Sequence, residues 1–133
     1  MPRAVADTHT VIWYLYDDAR LSSTARSWIE NAAGANEQIA VSAITLAEMI
    51  YLVEKGRIDA AALTRLVTEL DAADATLIEI PFDRHVAQTM SRVARTEVPD
   101  LPDRIIAATA LYLDVPVISR DRKIQASRVR TVW

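Results

Sequence analysis

The chain of 133 residues has no cysteine, two glycines, two histidines and one phenylalanine. Without cysteine there is neither a disulfide framework nor a thiolate zinc site, a composition suited to a reducing cytosol. The two histidines, His9 and His85, are too few for a His-rich metal centre. No apolar run approaches the roughly 20 residues that span a bilayer, and the first residues lack the zones of a signal peptide. The expectation is a cytoplasmic protein with no membrane contact. No linker or repeat is visible, and 51% hydrophobic with 25% charged residues suits a globular chain, so residues 1–133 are expected to form one domain. The formal charge of −3 gives no general attraction to nucleic acid. Local charge differs: between Arg120 and Arg130 stand Arg120, Arg122, Lys123, Arg128 and Arg130 against the single acid Asp121. Such a run suits either phosphate contacts or an ordinary solvated face.

Short apolar runs alternate with amphipathic stretches. Strands are expected at Ala4–Ala6, Ile39–Ala43, Leu77–Ile80, Pro116–Ser119 and Val129–Val132. Between them the pattern predicts a helix through Val11, Ile12 and Leu15, and one capped by Ser22 or Ser23 that runs through Ala33. A third runs from near Thr45 to near Gly56, whose type suits the left-handed position past a helix end. Asp59 is expected to cap a fourth, with Leu63, Leu66, Val67 and Leu70 as its apolar stripe. Asp83 caps a fifth, with Val86, Met90 and Val93 facing the core. The stretch VPDLPDRIIAATAL, Val98 to Leu111, predicts a last helix to about Leu113. Pro102 lies in its first turn, Asp103 at its start and Asp100 in the turn before. Alternating strands and helices argue for a parallel sheet of four to five strands with helices on both faces.

In such a sheet ligands bind beyond the carboxyl ends of the strands. Asp7 directly follows the first strand, Glu48 is expected in the first turn of the helix after the second, and Asp121 comes two residues after Ser119. Asp103 begins the helix that leads into PVIS. Each acid also has an ordinary local role. Thr45 and Glu48 spell a capping box, Asp7 can cap the helix through Val11, and Asp121 can form an Asx turn. Local roles do not explain a shared location. Carboxylates gathered at one sheet edge repel one another and titrate abnormally unless a cation neutralises them. All-oxygen ligation selects Mg²⁺ or Mn²⁺, which suits hydrolysis of a phosphodiester. Asp17 and Asp18 read as a surface turn, and Asp83 imitates the Asp-Arg pair without the small-residue run that follows Asp103.

The segments ADTHTVIWYL, VSAITLAEMIYLVEKGRI, DLPDRIIAATAL, PVISRDRKI and VRTVW lie in order along nearly the whole chain. With them the sequence resembles PIN-domain ribonucleases, closely the VapC-type toxins of bacterial toxin–antitoxin pairs. Thr96 to Pro99 depart from the short Gly- or His-containing turn of relatives. The resemblance implies a PIN-like three-layer sandwich and a metal site of Asp7, Glu48, Asp103 and Asp121, with Asp100 an additional acid. Ser119 matches a small hydroxyl residue that supports the ligands, and Arg104 follows the family's Asp-Arg pair. Arg104, Arg120, Arg122, Lys123 and His9 are candidate substrate contacts. The implied activity is Mg²⁺-dependent endonucleolytic cleavage of RNA, with Mn²⁺ able to substitute, in a homodimer inhibited by a cognate antitoxin. Two other readings stay open. A catalytically silent module would hold RNA or a protein in the same groove. An aspartyl-phosphate phosphatase would expect an acid where His9 stands.

Overall fold

A computed structural model describes residues 2–133. Five strands, β1 (Pro2–Ala6), β2 (Gln38–Ser42), β3 (Leu77–Ile80), β4 (Val117–Ile118) and β5 (Thr131–Val132), form one sheet in the order β3-β2-β1-β4-β5. Every pairing is parallel. Side chains alternate across it, as the two-residue period of a strand requires. Ala4, Ala6, Ile39, Val41, Leu77 and Ile118 face one layer. There they meet α1 (Thr8–Leu15), α2 (Ser23–Gly34) and α4 (Ala60–Asp71), through Val11, Trp13, Ile29 and Leu66. Val5, Ala40, Ile78 and Val117 face the other. It is filled by Val86 of α5 (Arg84–Thr89), by Ile106, Ala107 and Ala110 of α6 (Leu101–Leu113), and by Ile124 of α7 (Arg122–Ala126). α3 (Ala43–Glu54) sends Met49 into the first layer and Ile44 against the second. The expected three-layer α/β arrangement is therefore the observed one.

The chain steps from β1 outward through β2 to β3, then returns to the opposite side of β1 for β4 and β5. The switch between β1 and β4 opens a crevice at their carboxyl ends. α6 lies deep in the sandwich, with Ile105 to Ala110 all buried. Its alanines let it approach the sheet closely. Asp114, at φ 56, turns the chain out of α6 while its own amide and that of Val115 satisfy the carbonyls of Leu111 and Ala110. Gly56, at φ 70, ends α3 in the same way. The amides of Gly56 and Arg57 return to Val53 and Leu52, the double bond of a Schellman end.

Several expectations need correction. β2 ends at Ser42 and α3 starts at once on Ala43, because Ser42 Oγ accepts the Ile44 amide and caps the helix. The Thr45–Glu48 capping box is therefore absent: Thr45 lies inside the helix, and Glu48 stands in its second turn. α4 buries the narrower line Ala62–Leu66, and Val67 is 43% exposed at its rim. α5 stops at Thr89 and tightens into a 3₁₀ turn, Met90–Arg92, leaving Val93 beyond the helix. The carbonyls of Met90 and Val93 are taken by Arg104. The single-turn helix α7 was not foreseen, and β5 is two residues long rather than four.

Candidate active site

At the β1–β4 switch a cavity of about 470 Å³ is lined by Asp7, Thr8, His9, Trp13, Glu48, Asp100, Asp103, Arg120 and Asp121. Five acids from four separate segments thus share one space, Asp100 and Asp103 both at the start of α6. Asp7, 7% exposed, is the most enclosed of them and also caps α1, its Oδ1 accepting the Thr10 amide at 3.0 Å. Its other oxygen accepts the hydroxyl of the fully buried Ser119, which also takes the Asp121 amide at 3.0 Å. The first turn of α1 is tied to the end of β4 by Thr10 Oγ1, which donates to the Ile118 carbonyl at 2.8 Å. The one Ser119 hydroxyl therefore donates to the carboxylate of Asp7 and accepts the backbone amide of Asp121.

Glu48 reaches the cavity from α3, where Thr8 Oγ1 donates to its Oε1. The hydroxyls of Thr8 and Thr45 lie 3.0 Å apart, and with the Thr8 proton spent on Glu48, Thr45 is the donor to Thr8. Burial pushes the Glu48 carboxyl upward, and Asp100 and Asp7 add to it against the lowering by Thr8 and His9. Asp121 caps α7, its Oδ1 accepting from the Lys123 and Ile124 amides. Asp100, not Asp103, is the cap of α6: its Oδ2 accepts the Asp103 amide at 3.1 Å. Asp103 has no such local duty. Burial raises its pKa from 3.8 to about 7, with Asp100, Asp121, Glu48 and Asp7 each adding in that order. All four reach it by charge, which is the electrostatic sign of a gathered site.

The donor set is oxygen throughout apart from His9, and an excess of negative charge in a part-buried pocket suits a hard divalent cation. Among the described residues no three His, Cys, Asp or Glu side chains are gathered tightly enough to hold an ion in this arrangement. Four of the five carboxylates accept hydrogen bonds from the chain itself, which spreads the like charges apart. The chemistry of the set fits a cation.

The basic candidates divide. Arg120 lines the cavity, its guanidinium 4.6 Å over the Trp13 ring, and His9 lies 5.7 Å from the same ring. Arg122 and Lys123 are exposed on α7 outside the lining. Arg104 is turned away, its Nε donating to the Val93 carbonyl at 2.9 Å and a terminal nitrogen to Met90 at 3.0 Å. It does not line the cavity, and the contacts it makes are structural. Thr8 and Trp13 carry no expectation from the sequence, and Thr45, expected as a helix cap, instead hydrogen-bonds Thr8. The signal for Trp13 was its spacing from His9, which puts both on one face of α1. Asp17 and Asp18 form the expected surface turn, and Asp83 simply caps α5.

The family profile described as PIN domain matches residues 4–129. The chain belongs to this family. Over 136 aligned positions, 100% of both chains, it is 28% identical to the Ribonuclease VapC22 of Mycobacterium tuberculosis. Its fold is similar to that in the crystal structure of VapBC2 from Rickettsia felis bound to a promoter DNA fragment. That match has a TM-score of 0.71 at 20% identity and covers 97% of this chain and 96% of that one. A toxin–antitoxin complex from Klebsiella pneumoniae matches with a TM-score of 0.64 at 25% identity, over 98% and 96% of the two chains.

Proposed function

We propose that this PIN-domain chain is a Mg²⁺-dependent endoribonuclease, with Mn²⁺ able to substitute, acting as the toxin of a toxin–antitoxin pair. The observation that carries the reading is the convergence of Asp7, Glu48, Asp103 and Asp121 on one cavity at the β1–β4 switch. The whole-length likeness to a ribonuclease supports the substrate class. The likeness to toxin–antitoxin complexes supports a cognate antitoxin as partner. A homodimer and a cytoplasmic site of action rest on the family resemblance; no helix among the described residues is long and apolar enough to cross a membrane.

Asp7, Glu48, Asp103 and Asp121 would hold the cation, which when bound supplies an acidified water and positive charge facing the phosphoryl oxygens. The chain supplies the rest. Ser119 and the Thr10 amide keep Asp7 oriented, Thr8 does so for Glu48, and the amides of α7 do so for Asp121. Asp103, whose proton is held up to about pH 7 by burial and its neighbours, is the ligand whose ionisation depends most on the cation's arrival. There is no cysteine, and the Ser119 hydroxyl beside the cavity is buried and bonded to Asp7, while that of Thr8 is bonded to Glu48.

Purified protein is expected to cut single-stranded or looped RNA with Mg²⁺ or Mn²⁺ and to stop in excess EDTA. Asp7→Asn, prepared identically to expose any contaminating nuclease, should be inactive. Cleavage by Asp7→Asn equal to wild type, or cleavage that persists in EDTA, overturns the reading. Expression alone should arrest bacterial growth, and co-expression with the cognate antitoxin should restore it; normal growth with active soluble nuclease removes the toxin role and leaves the enzyme.

A further inference from the structure

The cavity has one wall that the carboxylates do not explain. Trp13, only 5% exposed, has two arginines against its ring: Arg20 at 5.2 Å and Arg120 at 4.6 Å. Trp133 meets it edge-on at 5.8 Å, which braces the indole from the far end of the chain. The two cations differ in one respect. Arg20 is forked onto Asp18, Nε to Oδ1 at 3.0 Å and a terminal nitrogen to Oδ2 at 2.8 Å. Ion pairs among the described residues engage Arg3, Arg20, Arg26, Arg128 and Arg130. Arg120 is in none of them, although it lines a cavity with five acids and is itself next in sequence to Asp121.

An arginine beside several carboxylates ordinarily forks onto one of them. Here the guanidinium carbon stands 4.6 Å from the centroid of the Trp13 ring, where cation–π attraction competes with the pull of the acids. A guanidinium held over a ring without an ion-pair partner keeps N–H groups free for a bidentate phosphate contact. Resting on the nuclease reading above, we propose that Arg120, seated on Trp13, binds a backbone phosphate of single-stranded RNA flanking the phosphate at the carboxylates. Trp13 is its positioning residue. The pair gives a net acidic protein a cation in the wall of the cavity that holds its five gathered acids, which fixes one point on the path of the strand.

The test is fluorescence anisotropy of a 5′-labelled single-stranded RNA with a cleavage-resistant phosphorothioate backbone, bound to the protein in Mn²⁺ across a salt series, with and without Arg120→Ala. Arg120→Ala should raise Kd roughly tenfold, the loss of one charge-assisted bidentate contact. It should also lower the slope of log Kd against log salt by about 0.7, the signature of one phosphate contact on a single strand. Arg120→Lys should recover part of the affinity but not all. Trp13→Phe should weaken binding while leaving the salt slope of a retained arginine. Arg128→Ala, which removes an equal charge elsewhere on the same segment, should change neither quantity. Equal Kd and slope with and without Arg120, an equal loss in Arg128→Ala, or no binding by the parent protein each overturn the proposal. So does loss of the Mn²⁺-dependent rise in melting temperature on Arg120→Ala alone, since that makes Arg120 a partner of the acids. Wild-type cleavage is measured separately in the same buffer. RNA bound through Arg120 but not cut contradicts the nuclease reading and leaves this contact standing.

Discussion

Asp100 accepts the Asp103 amide at 3.1 Å, so one acid of the Asp-x-x-Asp pair caps α6 and the other is left to face the cavity. The two carboxylates should therefore fail differently. Asp100→Ala removes a cap worth about 1 kcal/mol and should lower the melting temperature of the metal-free protein by roughly 2–5 °C. Asp100→Asn keeps most of the cap. Asp103→Asn removes a carboxyl that burial and four neighbouring acids already penalise, so it should leave the metal-free melting temperature unchanged or raise it. Thermal melts of the three variants in EDTA check this. A larger drop for Asp103→Asn than for Asp100→Ala would return the cap to Asp103.

The pH dependence has a sign fixed by the same carboxyl. The folded state holds the Asp103 proton up to about pH 7, against an ordinary value of 3.8. Between these values the fold keeps a proton that the unfolded chain has lost. This contribution to stability is fully present below pH 3.8 and lost as the pH rises through 7. Glu48, also raised, acts in the same direction. In EDTA the wild-type melting temperature should fall relative to that of Asp103→Asn as the pH goes from 4 to 7.5. A difference between the two proteins that is flat over that range contradicts the shift.

Arg104 supplies a third contrast. Its two bonds to the Met90 and Val93 carbonyls join α6 to the 3₁₀ turn after α5. Hydrogen bonds from a charged donor to half-buried carbonyls contribute about 1.5–3 kcal/mol, so Arg104→Ala should melt several degrees lower than wild type. RNA affinity measured well below that melting temperature, and its salt slope, should stay at wild-type values. A changed slope with unchanged stability would make Arg104 a phosphate contact after all.

Much of this was legible before folding. Apolar runs such as Ile39–Val41 and Val117–Ile118 are buried on both faces, and only a central parallel sheet requires that of short strands. The acids stood out because each follows a strand end or starts the helix leading into one. What the sequence concealed was which of two adjacent polar groups takes the local duty. Ser42 and Thr45 are both competent caps, and the absence of a loop between β2 and α3 decides for Ser42. Asp100 and Asp103 are both helix-start residues, and Pro102 at the second helical position places the cap at Asp100. Arg104 and Arg120 carry the same charge, yet long-range packing sends one to backbone carbonyls and the other to an indole. The helix α7, one turn long, lacks the length for a periodic signal.

The central claim is that Asp7, Glu48, Asp103 and Asp121 act together as one cation site. The most direct measurement is a set of melting curves for wild type, Asp103→Asn and Ser119→Ala, in EDTA and in millimolar Mn²⁺ at fixed ionic strength. A cation that binds only the folded state stabilises it by about 1.4 kcal/mol at tenfold excess over Kd, a rise of roughly 3–6 °C for a domain of this size. Wild type should show that rise. Asp103→Asn should lose most of it. Ser119→Ala, which frees Asp7 and Asp121 from their shared hydroxyl, should need about 10–100 times more Mn²⁺ to reach it. A wild type without any Mn²⁺-dependent rise, together with Asp103→Asn melting below wild type in both buffers, would contradict the claim and leave the acids as separate helix-start residues.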